Sequence, residues 1–217
     1  MNSALLPEAK CSLCPRLEGF RQQNKGKFPV FFNAPVPSFG EFSAKLLVVG
    51  LAPGLKGANA TGRPFTGDYA GEVLYPALLK HVFASGVYGA HPQDGLVLVD
   101  SRITNAVRCV PPENKPETVE IKTCNRFLTA EIAAMKDLRV ILTLGNIAHK
   151  AVLMASGLRQ SHVPFVHGAV HKLPSGVALV GSYHCSRYNI NTGRLSVEMF
   201  DAVMAKVRML VDQASMD

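Results

Sequence analysis

Three polar side chains, Asp68, Asn105 and His184, are of the types that hydrolases use. A carboxylate, an amide and an imidazole in one cleft suit a hydrolysis in which the leaving group takes up negative charge. Each residue alone also has an ordinary interpretation: Asp68 as a helix N-cap, Asn105 as a turn residue and His184 as a structural histidine. Their chemistry therefore depends on whether the fold brings the three together.

The segment that contains Asp68 predicts a buried strand followed by a long ligand-binding loop. Residues 46–49 form an apolar run that ends at Gly50, as in a central strand of a parallel sheet. The loop that follows is rich in glycine, and such a backbone lets polar side chains approach a small ligand closely. A loop of this length is uncommon unless it is functional or disordered. We therefore expect it to form part of a binding site.

The remaining hydrophobic patterns alternate between strands and helices along the chain. We predict strands over residues 45–50, 96–99, 139–144 and 177–180. We predict helices over residues 14–23, 71–86, 117–135, 146–156 and 194–211. Residues 27–33 are rich in phenylalanine and predict either a short strand or an apolar flap. The alternation of strands and helices predicts one doubly wound, mainly parallel sheet.

Three predicted loops leave the carboxyl ends of strands, after Gly50, after Val99 and after Val180. Residues 100–116, which make up the second of these loops, are rich in proline and asparagine. The carboxyl ends of parallel strands lie at one edge of a sheet, where ligands bind. The fold is therefore expected to bring the carboxylate, the amide and the imidazole into one cleft.

The sequence has five cysteines, and four of them are spaced as two pairs. Cys11 and Cys14 form a C-x-x-C pair, whereas Cys109 and Cys124 flank a loop far downstream. Thiolates from two separated segments can bind zinc or hold an iron–sulfur cluster, and the spacing alone does not choose between them. Buried free cysteines are the alternative, but the N-terminal segment has little core-like patterning and needs something to hold it. An odd number of cysteines disfavours a secreted disulfide framework.

The composition is that of a globular, basic protein. The chain has 217 residues, 47% of them hydrophobic, which is enough for one large α/β domain with a sizeable core. The formal net charge of +7 and the pI of about 9.3 favour a polyanionic partner such as nucleic acid. No apolar run is long enough to cross a bilayer, and the N-terminus is too short and polar for a signal peptide. We therefore expect a cytoplasmic or nucleoid-associated monomer that does not bind membranes.

Three motifs resemble those of the family 5 uracil-DNA glycosylases. They are GLAPG followed by GANATGRPFTGD, then TNAVRCVPPENKP, and finally HCSRYNINTGRL. The four paired cysteines also match the pattern that holds a 4Fe–4S cluster in the family 4 and family 5 enzymes. The resemblance extends over residues 11–195. In one departure, Cys185 replaces the proline that usually follows the histidine of the third motif, which removes a fixed φ angle beside His184.

The resemblance implies one three-layer α/β/α domain with a central, mainly parallel sheet over residues 1–217. The N-terminal segment, residues 1–26, is then tied down by a 4Fe–4S cluster on Cys11, Cys14, Cys109 and Cys124. The implied activity is that of a monofunctional repair glycosylase. Such an enzyme flips uracil, and also hypoxanthine and xanthine, out of double-stranded DNA and hydrolyses the N-glycosidic bond. A hydrolase of free nucleotides and a catalytically weak module that binds damaged DNA are the alternatives.

The resemblance also implies a role for each residue of the site. Asp68 orients the water or stabilises the sugar cation, His184 stabilises the carbonyl oxygen of the base, and Asn105 binds the base edge. The base pocket is formed by the first loop and a stacking phenylalanine: Gly50, Leu51, Ala52, Pro53, Gly54 and Phe65. The wedge that fills the vacated stack is formed by the loop after His184: Ser186, Arg187, Tyr188 and Asn189.

Overall fold

A five-stranded sheet forms the centre of the fold. The structure is a computed structural model and describes residues 6–213. The strands in chain order are Leu46–Gly50 (β1), Ala84–Ser85 (β2), Val97–Leu98 (β3), Ser101–Asn105 (β4), Val140–Leu144 (β5), Val170–Lys172 (β6) and Ala178–Ser182 (β7). In space the central sheet has the order β4-β1-β5-β7-β6, while β2 and β3 form a separate two-stranded sheet. Neighbours in the central sheet are parallel, except that β6 runs antiparallel to β7.

Helices cover both faces of the central sheet. In chain order they are Pro15–Lys27 (α1), Ala58–Thr61 (α2), Tyr69–Lys80 (α3), Thr118–Ala134 (α4), Asn146–Ala155 (α5), Arg187–Asn191 (α6) and Val197–Gln213 (α7). Successive side chains of a strand point to opposite faces. Leu46 and Val48 of β1 therefore pack in one core with α3 and α7, whereas Leu47 and Val49 pack in the other with α4 and α5. The predicted three-layer α/β/α fold is confirmed.

The prediction that residues 96–99 form a strand of the main sheet is wrong. Val97–Leu98 instead pairs antiparallel with Ala84–Ser85, and its side chains are exposed or half-exposed. The strand beside β1 is β4, which lies within the segment that the sequence predicted as a loop. All five residues of β4 are buried although their sequence, SRITN, is mostly polar. A search for apolar runs misses a strand of this kind.

The polar side chains of β4 can be buried because they have partners. The Arg102 Nε atom donates to Glu131 of α4 at 2.6 Å, and the Thr104 hydroxyl donates to the same carboxylate at 3.0 Å. Arg108, just after β4, donates to it at 2.5 Å. Burial raises the pKa of Glu131, but the two guanidinium groups outweigh burial and hold it below its usual value. This network fixes β4, and with it Asn105, against α4.

The other differences from the predicted elements concern where the chain turns. Helix α3 ends at Lys80 rather than at residue 86, because the backbone turns into the left-handed region at Val82 (φ 58°), whose side chain is 65% exposed. Residues 27–33 form the end of α1 and the turn after it rather than a strand, and the rings of Phe28 and Phe31 stack there at 4.8 Å. The short antiparallel strand β6 was not predicted, because its residues are half-exposed or exposed and show no apolar run.

The remaining predicted elements are confirmed with small shifts of their ends. Helices α4 and α5 match the predicted ranges closely, whereas α1 extends to Lys27 and α7 begins at Val197. Within residues 6–213, none of the helices combines the length and the apolar character needed to span a lipid bilayer. That residues 1–217 form one domain stays a prediction, and residues 1–5 and 214–217 lie outside the described residues.

Candidate active site

A cavity of about 490 Å³ lies where the loops after β1, β4 and β7 meet. The lining contains most of the predicted site residues: Leu51, Ala52, Gly54, Phe65, Asp68, Asn105, His184, Ser186, Arg187 and Tyr188. It also contains residues that the sequence did not single out: Ala58, Tyr69, Ala70 and Asn114. The predicted residues Gly50, Pro53 and Asn189 are not among the residues that line it. The carboxylate, the amide and the imidazole are thus brought to one cavity at the edge of the sheet.

Asn105 enters the cavity from the last position of β4, beside Gly50 at the end of β1. A Cβ atom on Gly50 would lie 2.4 Å from the Asn105 Oδ1 atom and 2.5 Å from the Phe65 Cζ atom. Atoms that are not bonded to each other do not approach so closely. Gly50 therefore acts by leaving space, which lets the Asn105 amide and the Phe65 ring pack side by side.

Asp68 occupies the N-cap position of α3, but its side chain makes no capping hydrogen bond to that helix. Instead, the Asp68 Oδ2 atom accepts a hydrogen bond from the Ala58 N–H at 3.3 Å, across the loop. Burial is the main influence on this carboxylate and raises its pKa above the usual value. Asp68 therefore faces the cavity and the first loop, and the ordinary N-cap interpretation does not describe its contacts.

Two glycines of the first loop make room for the Asp68 carboxylate. A Cβ atom on Gly54 would lie 2.5 Å from the Asp68 Oδ1 atom, and one on Gly57 would lie 1.9 Å from its Cγ atom. Any side chain at either position would displace the carboxylate. The backbone of the glycine-rich first loop thus closes directly around the Asp68 carboxylate.

His184 follows β7 and is partly buried in the cavity wall. Its Nδ1 atom is shielded from solvent and has no hydrogen-bond partner among the described residues. Burial lowers the pKa of His184 to about 4, because a charged imidazolium is costly away from water. The imidazole is therefore neutral at pH 7. A neutral imidazole still offers one N–H donor, which is what a base that gains negative charge requires.

Phe65 lies on the same side of the cavity as His184. The two rings are 6.1 Å apart between centroids, with their planes at 27°. The Phe65 backbone has a φ of 58°, in the left-handed region that bulky residues rarely adopt. Such conformations persist only where the surroundings hold them, and they cluster at functional sites.

The loop after His184 carries exposed side chains at the rim of the cavity. Tyr188 is 73% exposed, and the Arg187 guanidinium lies 5.1 Å from the centre of the Tyr69 ring. The Asn189 side chain instead turns back onto the loop, where its amide donates to the backbone carbonyl of His184 at 2.8 Å. Asn189 therefore braces the loop, and the exposed part of the predicted wedge consists of Arg187 and Tyr188.

Comparisons with known proteins show the family of this chain. Residues 37–208 match the family model of the uracil DNA glycosylase superfamily. The chain is 45% identical over 205 residues to the type-5 uracil-DNA glycosylase of Thermus thermophilus, with 92% of this chain and 93% of that protein covered. It is 39% identical over 208 residues to the type-5 enzyme of Mycobacterium leprae, with 92% and 91% covered.

The chain belongs to the type-5 uracil-DNA glycosylases. The family that the three motifs suggested is thereby confirmed, and the match spans the central sheet and the residues of the cavity.

Cys185 is the residue at which this type-5 glycosylase departs from the motif. Its side chain is fully buried, and the thiol donates to the Ala70 carbonyl at 3.5 Å. Burial raises the pKa of Cys185 to about 12, so the thiol stays protonated and can donate. This contact joins the histidine loop to the start of α3.

The four paired cysteines of this type-5 glycosylase line one small cavity, together with Leu17, Arg21 and Phe127. Among residues 6–213, no group of three or more His, Cys, Asp or Glu side chains is arranged to bind a metal ion. The surroundings nevertheless suit an anionic group. The Arg21 side chain lines this cavity, its buried Nε atom has no hydrogen-bond partner among the described residues, and thiols are the ligand type that iron–sulfur clusters use.

Proposed function

We propose that this protein hydrolyses the N-glycosidic bond of uracil in DNA and leaves an abasic site. The convergence of Asp68, Asn105 and His184 on one cavity beside Phe65 is the observation that supports this most strongly. Membership of the type-5 uracil-DNA glycosylases agrees with it. The net charge of +7 suits a nucleic-acid substrate.

In the proposed reaction the base leaves the duplex and enters the cavity. The Phe65 ring offers a face on which the base can stack, and the Asn105 amide offers a donor and an acceptor for its edge. As the bond between C1′ and the base nitrogen breaks, its electron pair moves onto the base. The neutral His184 imidazole donates a hydrogen bond to the base carbonyl oxygen, where negative charge develops.

Asp68 acts on the sugar side of the breaking bond. The loss of the base leaves positive charge at C1′ and the ring oxygen, which the Asp68 carboxylate stabilises. A water oxygen then bonds to C1′, and its proton passes to this carboxylate, whose raised pKa makes it a better acceptor than an ordinary aspartate. The free base takes a proton from solvent, and the sugar keeps the hydroxyl group.

We further propose that the cavity accepts hypoxanthine and xanthine as well as uracil. The lining includes four small residues, Ala52, Gly54, Ala58 and Ala70, which leave room for a base with two rings. An excision assay on duplexes that contain each base, run beside free deoxynucleotides, tests both proposals. We expect release from the duplexes and none from free nucleotides. Hydrolysis of free nucleotides alone, or DNA binding without release, would instead support one of the alternatives.

Arg187 and Tyr188 are proposed to fill the gap that the flipped base leaves in the stack. Replacing both by Ala is expected to slow excision from paired duplex by about 10-fold, because unstacking costs a few kcal/mol that the wedge offsets. Excision from single strands should fall much less, since less unstacking is needed there. The two rates are compared under single-turnover conditions, and equal losses on both substrates would count against a wedge.

We propose that Cys11, Cys14, Cys109 and Cys124 hold a 4Fe–4S cluster. The supporting observations are four thiols on one cavity and the unpartnered, buried Arg21 Nε atom beside them. The cluster would join the segment before α1 to the segments around Cys109 and α4, so its role is structural. Such clusters supply electron-transfer chemistry elsewhere, but no step of the glycosidic hydrolysis requires it.

Anaerobically purified protein is expected to be brown and to contain about four irons per chain. Cys109→Ser should lose iron and become markedly less stable to heat. Cys185→Ser is the matched control, because Cys185 is equally buried but lies outside the cysteine-lined cavity, and it should keep its iron. Colourless protein with stoichiometric zinc would rule out the iron cluster while leaving the ligands in place.

A further inference from the structure

A buried ion pair involves Arg63, two residues before Phe65 in the chain. The Arg63 guanidinium donates two hydrogen bonds to the Asp94 carboxylate, at 2.8 and 2.6 Å. The side chains of Arg63 and Asp94 are only 6% and 1% exposed. The Arg63–Asp94 pair holds the pKa of Asp94 well below its usual range, so the carboxylate stays charged at any working pH. Neither residue lines the candidate active site.

Aromatic rings and backbone donors fix both members of the pair. The Arg63 guanidinium lies 5.2, 5.4 and 5.9 Å from the ring centres of Phe39, Tyr75 and Tyr88. Asp94 accepts two further hydrogen bonds, from the N–H groups of Gly89 at 2.9 Å and Leu96 at 3.0 Å. The loop before β3 thus forms a rigid anchor for the segment that contains Arg63.

Contacts around this anchor reach the residues on both sides of Phe65. The Arg63 Nε atom donates to the Thr66 hydroxyl oxygen at 2.6 Å. The Tyr75 hydroxyl donates to the Pro64 carbonyl at 2.6 Å, and the Tyr88 hydroxyl lies 3.5 Å from the Phe65 carbonyl oxygen. Phe65 itself has the unfavourable φ of 58°, so these contacts hold it in a conformation that it would not adopt alone.

We propose that the Arg63–Asp94 pair positions Phe65 and thereby sets how firmly the flipped base is held for hydrolysis. This inference rests on the proposed function, because it assigns the residues that control one wall of the base cavity. If the ion pair only stabilised the fold, breaking it would lower the melting temperature, and its effect on the rate would not depend on Phe65. If the Arg63–Asp94 pair acts through Phe65, its effect on the rate must depend on the presence of the Phe65 ring.

A double-mutant cycle separates these two roles. Arg63→Gln is expected to slow single-turnover uracil excision by about 10–100-fold, the loss that a small displacement of a reacting group can cause. In the Phe65→Ala background the same substitution should slow excision by less than about 2-fold, because the ring that it positions is gone. The drop in melting temperature caused by Arg63→Gln should be the same in both backgrounds.

Two further variants complete this test: a milder change that serves if Arg63→Gln does not fold, and a matched control. Tyr75→Phe removes only the hydroxyl that binds the Pro64 carbonyl and should show the same dependence on Phe65 with a smaller loss. Arg102→Gln removes part of a comparably buried ion pair, the one with Glu131, and serves as the matched control. Its effect on the rate should be equal with and without the Phe65 ring.

Two results would overturn the inference in a wild-type enzyme that excises uracil. One is a loss of rate for Arg63→Gln that is equal with and without the Phe65 ring. If Arg63→Gln does not fold, the same result for Tyr75→Phe would overturn the inference. The other is a Phe65→Ala variant as fast as the wild type, because no residue can then act through the ring. A folded wild-type protein that excises no uracil would instead contradict the proposed function, so the two failures are distinguishable.

Discussion

Asp68→Asn is expected to lower the single-turnover rate of uracil excision by about 10²–10⁴-fold with little change in DNA affinity. The amide keeps the shape of the carboxylate, but it can neither stabilise the sugar cation nor accept the proton of the attacking water. The wild-type rate should also fall as the pH drops through the raised pKa of Asp68, since the carboxylate is the active form. Rapid-quench measurements at saturating enzyme give the rate of the variant and the pH dependence of the wild-type rate.

The melting temperature of the same Asp68→Asn sample separates catalysis from helix capping. Loss of an N-cap side chain costs about 1 kcal/mol, yet the Asp68 side chain makes no capping bond. Because burial raises the pKa of Asp68, the folded protein holds its proton more tightly than the unfolded chain does. Stability therefore falls as the pH rises through that pKa, and a neutral amide should leave the melting temperature unchanged or higher at pH 7. A less stable but fully active variant would falsify the catalytic assignment.

His184→Ala is expected to slow uracil excision by about 10²–10³-fold, because it removes a donor from the oxygen on which charge develops. The loss should shrink for xanthine, since a base that leaves more easily needs less stabilisation. His81→Ala is the matched control: His81 binds Asp201 at 2.8 Å outside the cavity and should leave the rate unchanged. An equal loss for uracil and xanthine would argue that His184 does not touch the departing base.

The lowered pKa of His184 also predicts how the stability of the fold depends on pH. Between pH 6.5 and about 4 the unfolded chain takes up a proton that the folded His184 does not bind. Stability should therefore fall as the pH drops through this window, and His184→Ala should remove that part of the dependence. Denaturant unfolding at pH 7 and pH 5 measures it. A His184→Ala variant whose stability keeps the same dependence on pH as the wild type would contradict a neutral, buried imidazole.

The first loop and its strand could be predicted because their signals are local. An apolar run marks β1, and the glycines that follow leave space for the carboxylate of Asp68 and the amide of Asn105. Strand β4 could not be predicted in this way, because its Arg102 and Thr104 are buried against Glu131 of α4. That pairing joins distant parts of the chain, and no local pattern reports it.

The same distinction explains the residues of the cavity that the sequence did not single out. Ala58 and Ala70 contribute by their small size and by their backbone, one as the donor to Asp68 and the other as the acceptor from Cys185. Nothing in their residue types indicates chemistry. Tyr69 is recognisable only once the fold places it beneath Arg187. The motifs therefore indicate the groups that are proposed to react, whereas the fold shows the groups that hold them.

The most direct test of the central claim is the release of free uracil from a labelled duplex that contains one uracil. Wild-type protein at saturating concentration should release one equivalent of uracil and leave an alkali-labile site at that nucleotide, with the strand intact before alkali. Asp68→Asn, matched for folding and DNA binding, should release it about 10²–10⁴-fold more slowly. Folded wild-type protein that binds the duplex and releases no uracil would contradict the account.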